Sequence, residues 1–132
     1  MRKGITVDLV MQENTFGCGI ACLAMVTGAL YRTVAKFFTK DFATKGISLK
    51  GIDKYLEKQG CVVERKFAEG EDWIPKSFAP VHICEVKIKE ESQNTHYVVM
   101  LKSGSILDPM SRKTKKLKDY HQVLNVAGIF PE

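Results

Sequence analysis

The run Gly17-Cys18-Gly19-Ile20-Ala21-Cys22-Leu23-Ala24-Met25-Val26 offers no charged or strongly polar side chain anywhere along its length. A helix that is apolar on every side has no face to turn to water, so the segment reads as a helix buried inside the domain. A thiol, Cys18, stands between two glycines at its start. The positive end of a helix dipole favours thiolate over thiol there. The flanking glycines leave room for another backbone, such as that of a substrate, to approach the sulfur. Upstream, the amide of Gln12 is a candidate donor to a developing oxyanion, a role it would share with the Cys18 backbone N–H. Together these residues read as a cysteine nucleophile with its oxyanion donors.

A nucleophile needs a base. The segment Thr95-His96-Tyr97-Val98-Val99-Met100-Leu101 is β-branched, aromatic and apolar, and so predicts an interior strand with His96 at its polar edge. Lys102-Ser103-Gly104-Ser105 signals a turn, and Ile106-Leu107-Asp108-Pro109 reads as the returning strand. Pro109 cannot continue a ladder, which places Asp108 at the strand end. A carboxylate beside the histidine fixes its tautomer and stabilises the imidazolium. For His96 and Asp108 to stand directly opposite, the hairpin must be centred near Lys102 or carry a bulge. A tight turn at Ser103-Gly104 would set Asp108 across from Val99 instead. Asp108 also has a simpler use, as the cap of the Asp108-Pro109 turn.

These pieces carry a resemblance. Gln12 with Gly17-Cys18-Gly19 and the apolar helix, Ala79-Pro80-Val81 opening a strand, His96-Tyr97-Val98-Val99 and Leu107-Asp108-Pro109 resemble, in order, the bacteriocin-processing cysteine peptidases. Those are papain-like domains that cut double-glycine leader peptides and often precede exporters. The resemblance implies a peptide substrate cut after small residues, a catalytic set of Cys18, His96, Asp108 and Gln12, and no metal or organic cofactor. It also raises a transporter or membrane complex as a partner. No transporter sequence follows, so a free-standing domain is the expectation. The stretch Lys87-Ile88-Lys89-Glu90-Glu91-Ser92-Gln93-Asn94 before His96 is longer and more polar than the pattern, and the His96-to-Asp108 hairpin is shorter.

Length and composition agree with one folded domain spanning 1–132, since 45% hydrophobic and 27% charged residues are ordinary for a globule. Asp8 and Gln12 interrupt any signal-peptide core, and no apolar run reaches the roughly 20 residues that span a bilayer, so a cytoplasmic location is expected. In that setting the four cysteines are thiols. Cys22, Cys61 and Cys84 read as small buried hydrophobes. Cys18, Cys22, His82 and Cys84 make a conceivable zinc set, but they lack close-spaced ligand pairs, and structural zinc is not expected.

Between the two catalytic pieces the spacing predicts a helix over 31–38 and another over 48–60. The second is capped by Ser48, striped by Leu49, Ile52, Tyr55 and Leu56, and ended by Gly60. Strands follow near 61–67, 81–88, 96–101, 105–108 and 126–130. Helices followed by antiparallel strands predict an α+β fold, with the Cys18 helix packed on the sheet. Trp73, in a loop over 69–76, reads as an anchor for that loop. His82 reads as a packed histidine bonded to backbone, and His121 as a polar-tail residue without a partner. The basic run 112–118 reads as a solvated turn and strand face. It lacks the interleaved aromatics of a nucleic-acid tract, so no nucleic-acid partner is expected. The same thiol, histidine and acid also fit a glutamine deamidase or transglutaminase-like enzyme, and a non-catalytic peptide-binding module keeps the same fold.

Overall fold

A computed structural model describes residues 7–38, 46–69, 78–90 and 94–130. Trp73 and part of the polar stretch before His96 lie outside the described residues. The helices are α1 (Cys18–Thr27), α2 (Tyr31–Phe37) and α3 (Leu49–Lys58). The strands are β1 (Val62–Phe67), β2 (Val81–Lys87), β3 (His96–Leu101), β4 (Ile106–Leu107) and β5 (Gln122–Phe130). They form one five-stranded sheet in the order β1-β5-β2-β3-β4, every neighbouring pair antiparallel. The fold is α+β, as the order of patterns implies.

Every residue of α1 from Cys18 to Val26 is buried. The helix lies on β3, with α2 and α3 beside it. It ends where Gly28 takes a left-handed conformation at φ 76° and returns its N–H to the Ala24 carbonyl. At α3 the Gly51 N–H donates to Ser48 Oγ at 3.1 Å, and Ile52, Tyr55 and Leu56 carry the buried stripe. Strand alternation then divides the core in two. Val81, Ile83, Tyr97, Val99 and Ile129 meet the helices, whereas Cys84, Val86, Val98 and Val126 form a second cluster with Ile106 and Tyr120. Helices cover one face of the sheet, and the chain after β4 covers the other. That double cover explains why β2 is buried almost along its whole length.

Two local expectations change. The last strand starts at Gln122 rather than near Val126, because β1 and β2 pair with it on both sides. The polar residue inside it, Asn125, is buried but bonded to Arg65 and Glu85, and Arg65 in turn pairs with Asp53. The hairpin is not centred on Lys102. Val99 pairs with Leu107 and Met100 with Ile106, and Gly104, at φ 94°, returns its N–H to the Leu101 carbonyl. The Leu101 N–H closes the loop onto Ser105. A loop of this kind, with glycine in the left-handed position, is a standard hairpin connection.

The glycines around Cys18 also have a different purpose from the one their freedom suggests. A Cβ on Gly19 would lie 2.6 Å from Ile47 Cγ1, and one on Gly17 would strike the Tyr31 hydroxyl and Asn14. The space they leave is filled by the chain itself, not kept for a substrate. Gly19→Ala should therefore lower stability by about 1 kcal/mol. The overpacking cost of about 1–3 kcal/mol outweighs a helix-propensity gain of about 1 kcal/mol. Urea unfolding checks this, and a variant as stable as the parent would show that Ile47 yields freely.

Candidate active site

Cys18 is the first residue of α1, so its backbone N–H has no partner within the helix. Its side chain and that of His96 line one cleft of about 290 Å³. Thr15 and Phe16 precede the helix on one side, and Thr95 and Tyr97 flank His96 on the other. Gly46 and Ile47 form a further wall, tied down where the Tyr97 hydroxyl donates to the Ile47 carbonyl at 3.3 Å. Ile88 and Met110, both substantially exposed, complete an apolar rim.

His96 opens β3 and is buried. Its Nε2 donates to Asp108 Oδ1 at 2.7 Å. The observed register puts Asp108 across from Val98, two positions from His96 and on the same side of the sheet. Diagonal neighbours of this kind stand about 7–8 Å apart at Cα, within reach of an imidazole and a carboxylate. What matters is the parity of the register: an odd shift would have turned Asp108 to the helical face. The turn role and the contact with His96 coexist, since Oδ1 also accepts the Met110 N–H at 2.8 Å. Oδ2 accepts the Tyr120 hydroxyl at 2.6 Å. Nothing in the sequence marks Tyr120, which lies beyond the basic run and reaches Asp108 only through the fold.

The electrostatics follow from these contacts. Burial alone would lower the His96 imidazole. The hydrogen bonds to Asp108 and Cys18, together with their charge, push it from 6.5 up to about 9. Burial would raise the Asp108 carboxyl, but hydrogen bonds from His96 and Tyr120, the His96 charge and the Met110 N–H hold it below its ordinary range. An imidazolium facing a carboxylate is thus the favoured state of the pair near neutrality.

Gln12 is placed differently from the rest. Its backbone N–H donates to the Pro109 carbonyl at 3.1 Å, which pins its segment to the Asp108 turn. Its side-chain Nε2 donates to the carbonyls of Asn14 and Thr15, and Oε1 is buried with no partner among the described residues. The structure therefore sets Cys18 and His96 on one cleft, bonds His96 to Asp108, and turns the Gln12 amide toward the loop before α1.

The other cysteines and histidines do not line this cleft. All four cysteines are buried, and none is joined to another in a disulfide. Burial pushes the Cys22 thiol well up and the Cys84 thiol to about 12. His82 faces the Met100 carbonyl through Nδ1 at 3.2 Å, and burial lowers its imidazole. His121 is exposed. Among the described residues no set of three or more His, Cys, Asp or Glu side chains is arranged to hold a metal. In the basic run Lys115 bridges to Ile106 and stands over the Tyr120 ring at 5.9 Å, while Arg112, Lys113, Lys116 and Lys118 are exposed. Among the described residues no single helix is long and apolar enough to cross a membrane.

Comparison with known proteins returns the same picture. The family model described as the peptidase C39 family matches residues 6–121. Among solved structures, the peptidase domain of ComA from Streptococcus, a bifunctional ABC transporter of a quorum-sensing pathway, superposes with a TM-score of 0.65 at 18% identity. The match covers 96% of this chain and 100% of that one. A double-glycine motif protease from an AMS/PCAT transporter, solved with its leader peptide, superposes with a TM-score of 0.67 at 18% identity. Here 96% of this chain and 93% of the other are covered. At such identity these structures speak for the fold. No curated protein matches the chain in sequence.

The ion pair has a measurable signature. His96, raised, contributes stability that is present in full below 6.5 and lost as pH rises through about 9. Asp108, depressed, contributes stability that is present above 3.8 and lost as pH falls through its lower folded value. Asp108→Asn should accordingly lower Tm most between pH 3.8 and 6.5, with the difference from the parent shrinking on either side. A Tm difference that does not vary with pH would show that the pair is not ionised.

Proposed function

The chain belongs to the peptidase C39 family and is a cysteine peptidase; on that premise we propose that it cleaves a peptide bond after a small residue, with Cys18 as nucleophile, His96 as base and Asp108 as orienting acid. The observation that carries the reading is the convergence on one cleft of a thiol at a helix start and an imidazole held by a buried carboxylate. Because Nε2 of His96 is given to Asp108, Nδ1 is the nitrogen that holds the proton Cys18 gives up, and from there the imidazolium later delivers it. The thiolate attacks the scissile carbonyl and forms a tetrahedral oxyanion. Collapse breaks the C–N bond as His96 returns the proton to the leaving amine, and water hydrolyses the remaining thioester.

The Cys18 N–H is the first oxyanion donor. Gln12 is the second, once its amide turns from the loop carbonyls toward the cleft. Its resting orientation leaves Oε1 buried without a partner among the described residues; a missing pairing of this kind costs about 1–3 kcal/mol, which makes that orientation cheap to leave. The substrate is a leader-type peptide, as for the double-glycine motif protease solved with its leader peptide.

Peptides carrying Gly-Gly, Gly-Ala or Leu-Leu before the scissile bond, analysed by mass spectrometry, test the reading. Cleavage after the small pairs alone is expected. A gain of about one dalton on a glutamine, with no chain cut, would assign the thioester chemistry to deamidation instead. Cys18→Ala should abolish turnover with little change in Tm, since a small buried side chain is replaced by a smaller one. His96→Ala should be equally severe, Asp108→Asn less so. Gln12→Ala should cost at most about a hundred- to a thousandfold in rate, because the Cys18 N–H remains. Brief iodoacetamide treatment should label Cys18 ahead of Cys22 and Cys84, whose thiols burial pushes up. Uniform labelling of the folded protein would remove Cys18 as the nucleophile.

A further inference from the structure

Asp108 is buried, and its two oxygens are engaged from three sides. Oδ1 takes the His96 Nε2 proton at 2.7 Å and the Met110 N–H at 2.8 Å, while Oδ2 takes the Tyr120 hydroxyl at 2.6 Å. The first oxygen is thereby committed by the turn and the histidine. The second has Tyr120 alone among the described hydrogen bonds. A carboxylate held through one oxygen rotates about its final torsion, and rotation would swing Oδ1 out of line with the imidazole. The backbone around Tyr120 is itself tethered: its N–H bonds the Leu117 carbonyl at 3.1 Å, and the next residue, His121, bonds the Lys87 carbonyl at 2.9 Å. The ring packs in the core cluster on the second face of the sheet, with Lys115 above it. The hydroxyl is therefore delivered to Oδ2 by a fixed scaffold.

Resting on the cysteine peptidase reading, we infer that Tyr120 is a positioning residue of the active site, its hydroxyl locking the Asp108 carboxylate in the orientation that holds His96. The bond is charge-assisted and buried, so it also favours the carboxylate over the carboxylic acid. Burial, then the Asp108 bond and charge, push the phenol up, which keeps it a proton donor throughout the working range of the enzyme. Without it Oδ2 becomes a buried anionic oxygen with no partner among the described residues, and Asp108 must protonate at higher pH or turn away. Tyr120 comes from the segment that follows the basic run, and so links the cover of the sheet's second face to the chemistry at its end.

Tyr120→Phe removes the hydroxyl and keeps the packed ring, so it isolates this bond. The readout is the rate of Cys18 alkylation by iodoacetamide from about pH 4 to about pH 9, which brackets the carboxylate and imidazole ranges. It is followed by peptide mapping in the parent, Tyr120→Phe, Asp108→Asn and His96→Gln proteins, and it needs no substrate. In Tyr120→Phe the acid limb of the profile should move up by about one pH unit, as expected for loss of one hydrogen bond to a carboxylate. Mere loosening of the core would lower Tm without moving that limb. Incorporation of 3-fluorotyrosine at position 120 keeps the hydroxyl and strengthens it as a donor, so there the limb should move down. This arm stands even if Tyr120→Phe does not fold. An acid limb unmoved by either replacement, while Asp108→Asn displaces it, overturns the role of Tyr120 alone. Parent-like profiles in Asp108→Asn and His96→Gln overturn the underlying triad instead.

Discussion

The arrangement of this domain depends on one constraint: α1 has no polar side, so it must be enclosed completely. Burying a large aliphatic side chain is worth about 1.5–3 kcal/mol, and Ile20, Leu23, Met25 and Val26 are all enclosed here. No single neighbour can do this. The sheet supplies one wall through β3, and α2 and α3 close the sides. Enclosure sets where the helix begins, and hence where the thiol at its first residue stands. Even the two glycines beside the thiol serve that enclosure, since Ile47 and Tyr31 press into the space they leave.

The second constraint comes from the sheet. Its helical face is the main core, and its other face needs a cover, which the chain between β4 and β5 provides. Cys18 belongs to the first side, and His96, Asp108 and Tyr120 to the second. They meet because His96 is the first residue of β3, at the end of the sheet next to the start of α1. The proposed chemistry thus sits where two separately packed layers abut. One layer presents the Cys18 thiol and its backbone N–H. The other presents a buried ion pair with its own hydrogen-bond support, shielded from water on the side away from the cleft.

Much of this was legible in the residues. The all-apolar run could only be a buried helix, and the stripe of α3 with its serine cap left little choice of face. The β-branched run after His96 named an interior strand, and the polar-to-apolar step placed the histidine at its edge. Period and composition carry such information locally, because each residue type answers to its own neighbours. Other features escaped. The start of β5 was hidden because Gln122 and Asn125 look like loop residues until Arg65 and Glu85 arrive to bond the asparagine. The hairpin register is not legible in the residues, because a histidine and an acid need not stand directly opposite: a diagonal pair of the right parity suffices.

The sequence by itself therefore determined the α+β class, the buried helix, the cysteine at its head and the strand that carries the histidine. These follow from local pattern and from the impossibility of exposing so apolar a segment. Tertiary structure alone decided which partners those groups meet. It brought the Tyr120 hydroxyl to the free oxygen of Asp108, turned the Gln12 amide to loop carbonyls and filled the glycine spaces with Ile47 and Tyr31. Contacts of this kind join residues far apart in the chain, and their geometry depends on strand register and layer packing, which no local pattern encodes.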